Sequence, residues 1–113
     1  MSAFEAVYAQ LESTGIPFAY MAFPKGSAPS LPWGVYYLDE EDGVYADDAR
    51  YGDRCLWCVE VYARTLDNEL ISKVESALAG FGPAQREDTW VDSENCLMTT
   101  LSFTTITTNG QKE

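Results

Sequence analysis

At 113 residues, 46% hydrophobic and 13% aromatic, the chain has material for a single domain spanning residues 1–113, near the size at which core burial becomes marginal. Eighteen acids against seven bases give a net charge of −11, and histidine is absent. That argues against nucleic-acid binding through a basic face and excludes histidine acid–base catalysis, a Ser-His-Asp triad and any histidine-containing zinc site. The opening run MSAFEAVYAQLES has neither a basic segment nor a long apolar stretch, so no signal peptide and no membrane span are expected, and the chain is expected to stay in the cytoplasm where it is made.

Ser2 and Glu5 form a capping box, and Phe4, Val7, Tyr8 and Leu11 recur at helical spacing, predicting a first helix that Gly15 and Pro17 end. Residues 18–23 are short and aromatic and predict a strand. Residues 24–32, PKGSAPSLP, hold three prolines that cannot donate to a sheet, so they predict a surface loop or extended arm of the length that tends to be functional. Residues 33–38 and 44–47 predict two strands of a hairpin, with EEDG at 40–43 as its acidic turn.

From Arg54 to Gly80 the period changes from two to 3.6. Cys55, Trp57, Val59, Val61 and Ala63 fall on one apolar face of a central strand, with Leu56, Cys58, Glu60 and Tyr62 on the other. Asp67 then caps a helix carrying Leu70, Ile71, Val74, Ala77 and Leu78, with Leu66 and Ile71 placed as a staple across the cap. Gly80, Gly82 and Pro83 stop it. Burying its large aliphatics is worth about 1.5 to 3 kcal/mol each, so this helix must lie on a sheet. Residues 87–92 predict a strand, 93–95 a turn and 96–106 a long last strand. In that last strand Leu97, Leu101 and Phe103 oppose Thr100, Ser102 and Thr104, and residues 105–113 are expected to fray. The class is α+β: an antiparallel-rich twisted sheet with two helices packed on one face.

Three cysteines, Cys55, Cys58 and Cys96, fit reduced thiols. In a strand the CxxC pair points to opposite faces about 10 Å apart, too far for a bridge. With no second pair to complete a zinc site, these read as small buried hydrophobes, and neither a metal nor another cofactor is expected. Asp39, Glu40, Glu41, Asp42, Asp47, Asp48 and Asp53 make a dense acidic cluster whose glycine, Gly43, falls one place early for a calcium loop. It reads as a solvated hairpin tip or, if copies form a ring, as a ring of negative charge. Period two also places Tyr36 and Tyr37 on opposite sides, so some aromatics must reach the surface. Pro24, Lys25, Pro29, Leu31 and Pro32 of the arm, with Trp33, Tyr36, Tyr45 and Tyr51, are the candidate interface.

The runs GIPFAY (15–20), GVYYLDEEDGVYADDARY (34–51) and VEVYARTLDNELISKVESAL (59–78) together resemble the small tail-completion proteins of long-tailed bacteriophages, a family that includes tail terminators and tail-to-head joining proteins. The resemblance spans residues 15–106 as a pattern of strand, acidic turn, ADD, strand and helix. It implies a structural virion protein without catalytic residues, assembled in the host cytoplasm. It further implies α+β subunits in a ring, often a hexamer, that caps the tail tube at its head-proximal end. Its partners would be further copies, the tube protein and the head–tail connector protein, with DNA passing through unbound. In such a conduit the acids Asp39, Glu40, Glu41, Asp42, Asp47 and Asp48 would face the channel or an axial surface and repel phosphate. The extra cysteines, the Thr-rich last strand and the proline-rich loop depart from the pattern. An acidic DNA mimic that inhibits a host nuclease or regulator is the alternative, weakened by the interspersed Arg50, Arg54, Arg64 and Arg86. For a small enzyme or ligand-binding domain the chain offers only carboxylates and thiols.

Overall fold

The computed structural model describes residues 3–24, 26–46 and 49–108. These form helix α1 (Ala3–Glu12), strands β1 (Phe18–Tyr20), β2 (Trp33–Ala46) and β3 (Ala49–Ala63), helix α2 (Asn68–Leu78), and strands β4 (Gln85–Val91) and β5 (Cys96–Thr108). One sheet holds all five strands in the order β1-β2-β3-β5-β4; β1 is parallel to β2 and the other pairs are antiparallel. The predicted alternation in residues 55–63 places β3 at the centre, and its odd positions meet both helices. Val7 and Leu11 of α1 and Ile71, Val74 and Leu78 of α2 are buried in one cluster with Trp57, Val59, Val61, Leu101 and Phe103. The class is therefore α+β, with two helices on one face.

The helix ends follow local chemistry. The Asp67 side chain accepts the Leu70 N–H at 3.1 Å, closing the first turn of α2. Leu66 stays 53% exposed while Ile71 is buried, so the cap rests on the carboxylate rather than on the expected apolar staple. At the end of α1 the buried Thr14 hydroxyl donates to the Leu11 carbonyl at 2.6 Å and accepts the Ile16 N–H at 3.2 Å, while Gly15 takes φ +81°, which a side chain would resist. Ser2 of the expected capping box lies outside the described residues.

Three expectations are corrected. EEDG is not a turn: β2 runs straight through it, pairing Glu40 with Leu56, Glu41 with Cys55, Asp42 with Arg54 and Gly43 with Asp53, after a register shift between Leu38 and Glu40. The pairing of β2 with β3 continues to Ala46 and Ala49. Charge marks exposure to water rather than chain reversal, and a strand that outruns its helices can be acidic at successive positions. Thr105 to Thr108, expected to fray, instead pair with β3 from Cys55 to Gly52, and residues 109–113 lie outside the described residues. The first strand is also shorter than expected, ending at Tyr20.

Length explains the shape. A strand of 14 residues such as β2 spans about 46 Å, while an 11-residue helix such as α2 spans about 16 Å. The helices therefore cover one end of the sheet, and the paired strands β2, β3 and β5 continue past them as a tongue. The molecule measures 50 × 25 × 25 Å with a radius of gyration of 15.4 Å, above the roughly 13 Å of an equally long spherical domain.

At the helix-covered end of the sheet Gly34 pairs with both Phe18 and Val61. A Cβ there would run into the Phe18 ring and lie 2.8 Å from the Glu60 carbonyl oxygen. Gly34→Ala is therefore expected to destabilise by about 1 to 3 kcal/mol, read from the denaturation midpoint. An unchanged midpoint would show that β1 yields to the methyl group at no cost.

Candidate functional site

The face of the sheet opposite the helices gathers the even positions of β3 with their neighbours. Tyr37 pairs with Cys58, Val35 with Glu60 and Trp33 with Tyr62; across β3, Cys58 pairs with Ser102, Glu60 with Thr100 and Tyr62 with Met98. Glu60 organises it. Its Oε2 accepts the Tyr37 hydroxyl at 2.8 Å and its Oε1 accepts the Tyr62 hydroxyl at 2.8 Å. Trp33 lies against Tyr62 with ring centroids 4.6 Å apart, and Phe23 meets Trp33 edge-on at 5.4 Å. Beyond them a groove of about 630 Å³ opens between the arm, at Ala28 and Leu31, and the sheet, at Trp33, Tyr62, Cys96 and Met98.

Burial, then the hydrogen bond to Glu60, pushes the Tyr37 and Tyr62 hydroxyls well above the ordinary tyrosine range. Burial likewise raises the Cys58 thiol, against a smaller opposing effect of its 3.8 Å contact with the Ser102 hydroxyl, and it raises Cys96. Neutral thiols are poor nucleophiles. Cys55 and Cys58 sit on opposite faces of β3, as their spacing implied, and no three metal-ligating side chains gather among the described residues. A tyrosine whose folded pKa is raised contributes stability that is complete below about pH 10 and is lost as pH climbs toward the folded value. The melting temperature should therefore fall above pH 10, and less steeply in a Tyr37→Phe, Tyr62→Phe double variant. Parallel falls in both proteins would remove the Glu60 network as the cause.

On the helix face, Thr99 is buried and donates to Asp88 Oδ1 at 2.7 Å. Arg86 reaches Asp88 with Nε at 3.4 Å and donates from Nη2 to Asn68 Oδ1 at 3.2 Å. The Thr99 hydrogen bond, then the Arg86 contact, holds the Asp88 carboxyl below its usual range. These contacts fasten the edge strand β4 to the start of α2.

The candidate interface residues scatter. Pro24 and Pro32 are exposed, Pro29, Leu31 and Trp33 are half-buried, and Lys25 lies outside the described residues. Tyr36 is 7% exposed, packed between Tyr8 at 6.2 Å and Tyr20 at 5.3 Å. The surface-anchor role expected of it is therefore corrected: its position puts it on the helix face, and it serves the core. Tyr45 pairs with Arg50, and Tyr51 sits at the register shift beside them. Of the acids, Asp39, Glu40 and Glu41 are exposed along β2, and Asp42 follows in the same strand. The Cys55 thiol donates to Glu41 Oε2 at 3.8 Å. Asp47 and Asp48 lie outside the described residues. Sequence reasoning missed the Glu60 network, although a lone carboxylate inside an apolar strand, two residues from Tyr62, was its signal.

No helix among the described residues is long and apolar enough to cross a membrane. No family model matches the chain, and no curated protein matches it by sequence. Among solved structures, its fold is similar to that of a chain in the virion of a native gene transfer agent (GTA) particle, at 16% identity, with 93% of each chain covered and a TM-score of 0.58.

Proposed function

We propose that the protein is a structural component of a phage-like virion, and within it a tail-completion subunit: a ring that terminates the tail tube and joins it to the head connector. The observation that carries this reading is the likeness of fold, over 93% of both chains, to a chain of the gene transfer agent virion. The resemblance of residues 15–106 to tail terminators, drawn from residue patterns, supports the same conclusion. A ring of about six copies would match a tail tube and needs a head-to-tail contact that closes. The arm at residues 24–32 with Trp33, and the tongue, are the surfaces available for it; Tyr36 is withdrawn from that set because it is buried. Exposed Asp39, Glu40 and Glu41 suit a channel that must let DNA pass without holding it, because cations there would retain phosphate by counterion release.

The test is genetic and structural. Particles made without this protein should carry tails of uncontrolled length or heads without joined tails, and supplying it should restore them. Normal tails joined to filled heads in its absence would overturn the reading. Within it, deleting residues 25–30 is expected to leave the melting temperature within a few degrees of wild type and to stop assembly. Assembled particles with normal tails would reduce the arm to a connector.

A further inference from the structure

The tongue leaves two backbone edges open. On one side β1 reaches β2 only at Gly34 to Tyr36, with the Met21 N–H donating to the Tyr36 carbonyl. From residue 37 to 46 the outer side of β2 carries no strand among the described residues. On the other side β4 reaches β5 only as far as Ser102, leaving residues 103–108 equally bare among the described residues. An open edge is a row of N–H and C=O groups ready to template another strand, and proteins commonly blunt it with lysine or proline. FTTITT contains neither and no charge; YLDEEDGVYA contains neither, and its guards are four acids and the register shift between Leu38 and Glu40.

The two edges are unlike, and their charges disfavour one way of pairing. The β2 edge carries Asp39, Glu40, Glu41 and Asp42, whereas the β5 edge has no charge. Two β2 edges brought together would set acid against acid, which is unfavourable. A β2 edge against the Thr-rich β5 edge of another copy avoids that. Both strands run antiparallel to β3, so β2 and β5 point the same way from opposite sides of one sheet. Rotation about an axis lying along the strands therefore brings β5 of one copy beside β2 of the next in parallel, and repeats around the axis until it closes.

We infer that residues 37–46 of one copy and residues 103–108 of its neighbour pair edge to edge, so that the tongues merge into one continuous sheet lining the ring. The inference rests on the ring reading above and names its interface. Each copy contributes three strands. Six copies would give a barrel about 35 Å across between backbones at the usual strand spacing and tilt, in the size class that encloses an aqueous channel.

Hydrogen exchange on the full-length, unmodified protein, with its mass measured in the same solution, tests this. A ring whose amides in residues 37–46 and 103–106 exchange about tenfold or more slowly than in the dissociated protein supports it. A ring in which those amides exchange as fast as in the dissociated protein overturns the edge pairing and leaves the ring standing. A dimer protected only along β5 overturns it in favour of like-with-like pairing. A protein that stays monomeric at all concentrations overturns the ring reading and this inference with it. Thr104, exposed on the β5 edge, provides the variant test. Thr104→Glu should lower the assembled fraction about tenfold at low salt and recover at high salt, whereas Thr104→Lys should assemble at least as well as wild type. Equal assembly of both variants at low salt overturns the charge argument.

Discussion

Replacing Trp57 by alanine is expected to cost about 3 to 5 kcal/mol. The side chain is fully buried on β3, at the centre of the sheet. The Phe4 ring meets it edge-on at 4.9 Å, and its Nε1–H donates to the Thr105 hydroxyl at 3.0 Å. Truncation opens a cavity under α1 and strips Thr105 of its donor, so two penalties add. Against the roughly 5 to 15 kcal/mol that holds a domain of this kind together, the variant stands near unfolding at ambient temperature. A denaturation midpoint within about 1 kcal/mol of wild type would show that Trp57 does not anchor the core.

Leu78→Ala follows, with an expected loss of about 2 to 5 kcal/mol. Leu78 is 1% exposed and closes the buried stripe that Ile71 and Val74 begin, so it holds the last turn of α2 onto the sheet. Leu66, just before the cap, is the control. It is mostly exposed, and Leu66→Ala should change stability by less than about half a kcal/mol. If the two substitutions cost the same, the face assigned to α2 is wrong.

These two variants rest on the part of the fold that residue order displays openly. Odd positions from 55 to 63 had to share a face because a strand alternates. The spacing of Ile71, Val74 and Leu78 had to make a helical stripe, and the structure puts the two together. Two kinds of feature escaped. One is non-local: neither the parallel pairing of β1 with β2 nor the placement of β5 between β3 and β4 leaves a local trace, because strand order depends on which distant backbone completes which edge. The other is the ambiguity of polar residues. EEDG looked like a turn because acids avoid interiors, yet the same acids are at home in a long strand that water reaches. Tyr36 looked like a surface anchor because tyrosines often are; only the register of β2 shows that it faces α1, whereas Tyr37 faces Glu60. Of the candidate site, Asp39, Glu40, Glu41, Trp33 and the arm were legible as exposed or half-exposed features. The Glu60 network was not read, since a carboxylate's partners depend on cross-strand register.

The acids and the length of the tongue point the same way. Carboxylates repeated around an axis repel one another unless water and ions screen them within about 8 to 10 Å, and a wide channel provides that condition. In the proposed ring, joining such edges would use one three-stranded extension per copy.

Assembly into the proposed ring is tested most directly by the solution mass of the purified protein over a range of concentrations, combined with images of the assembled species. A closed particle of about six copies with an open centre is expected, populated more as concentration rises. A protein that keeps the mass of one or two chains at every concentration, and forms no ring in the presence of tail tubes, would contradict it.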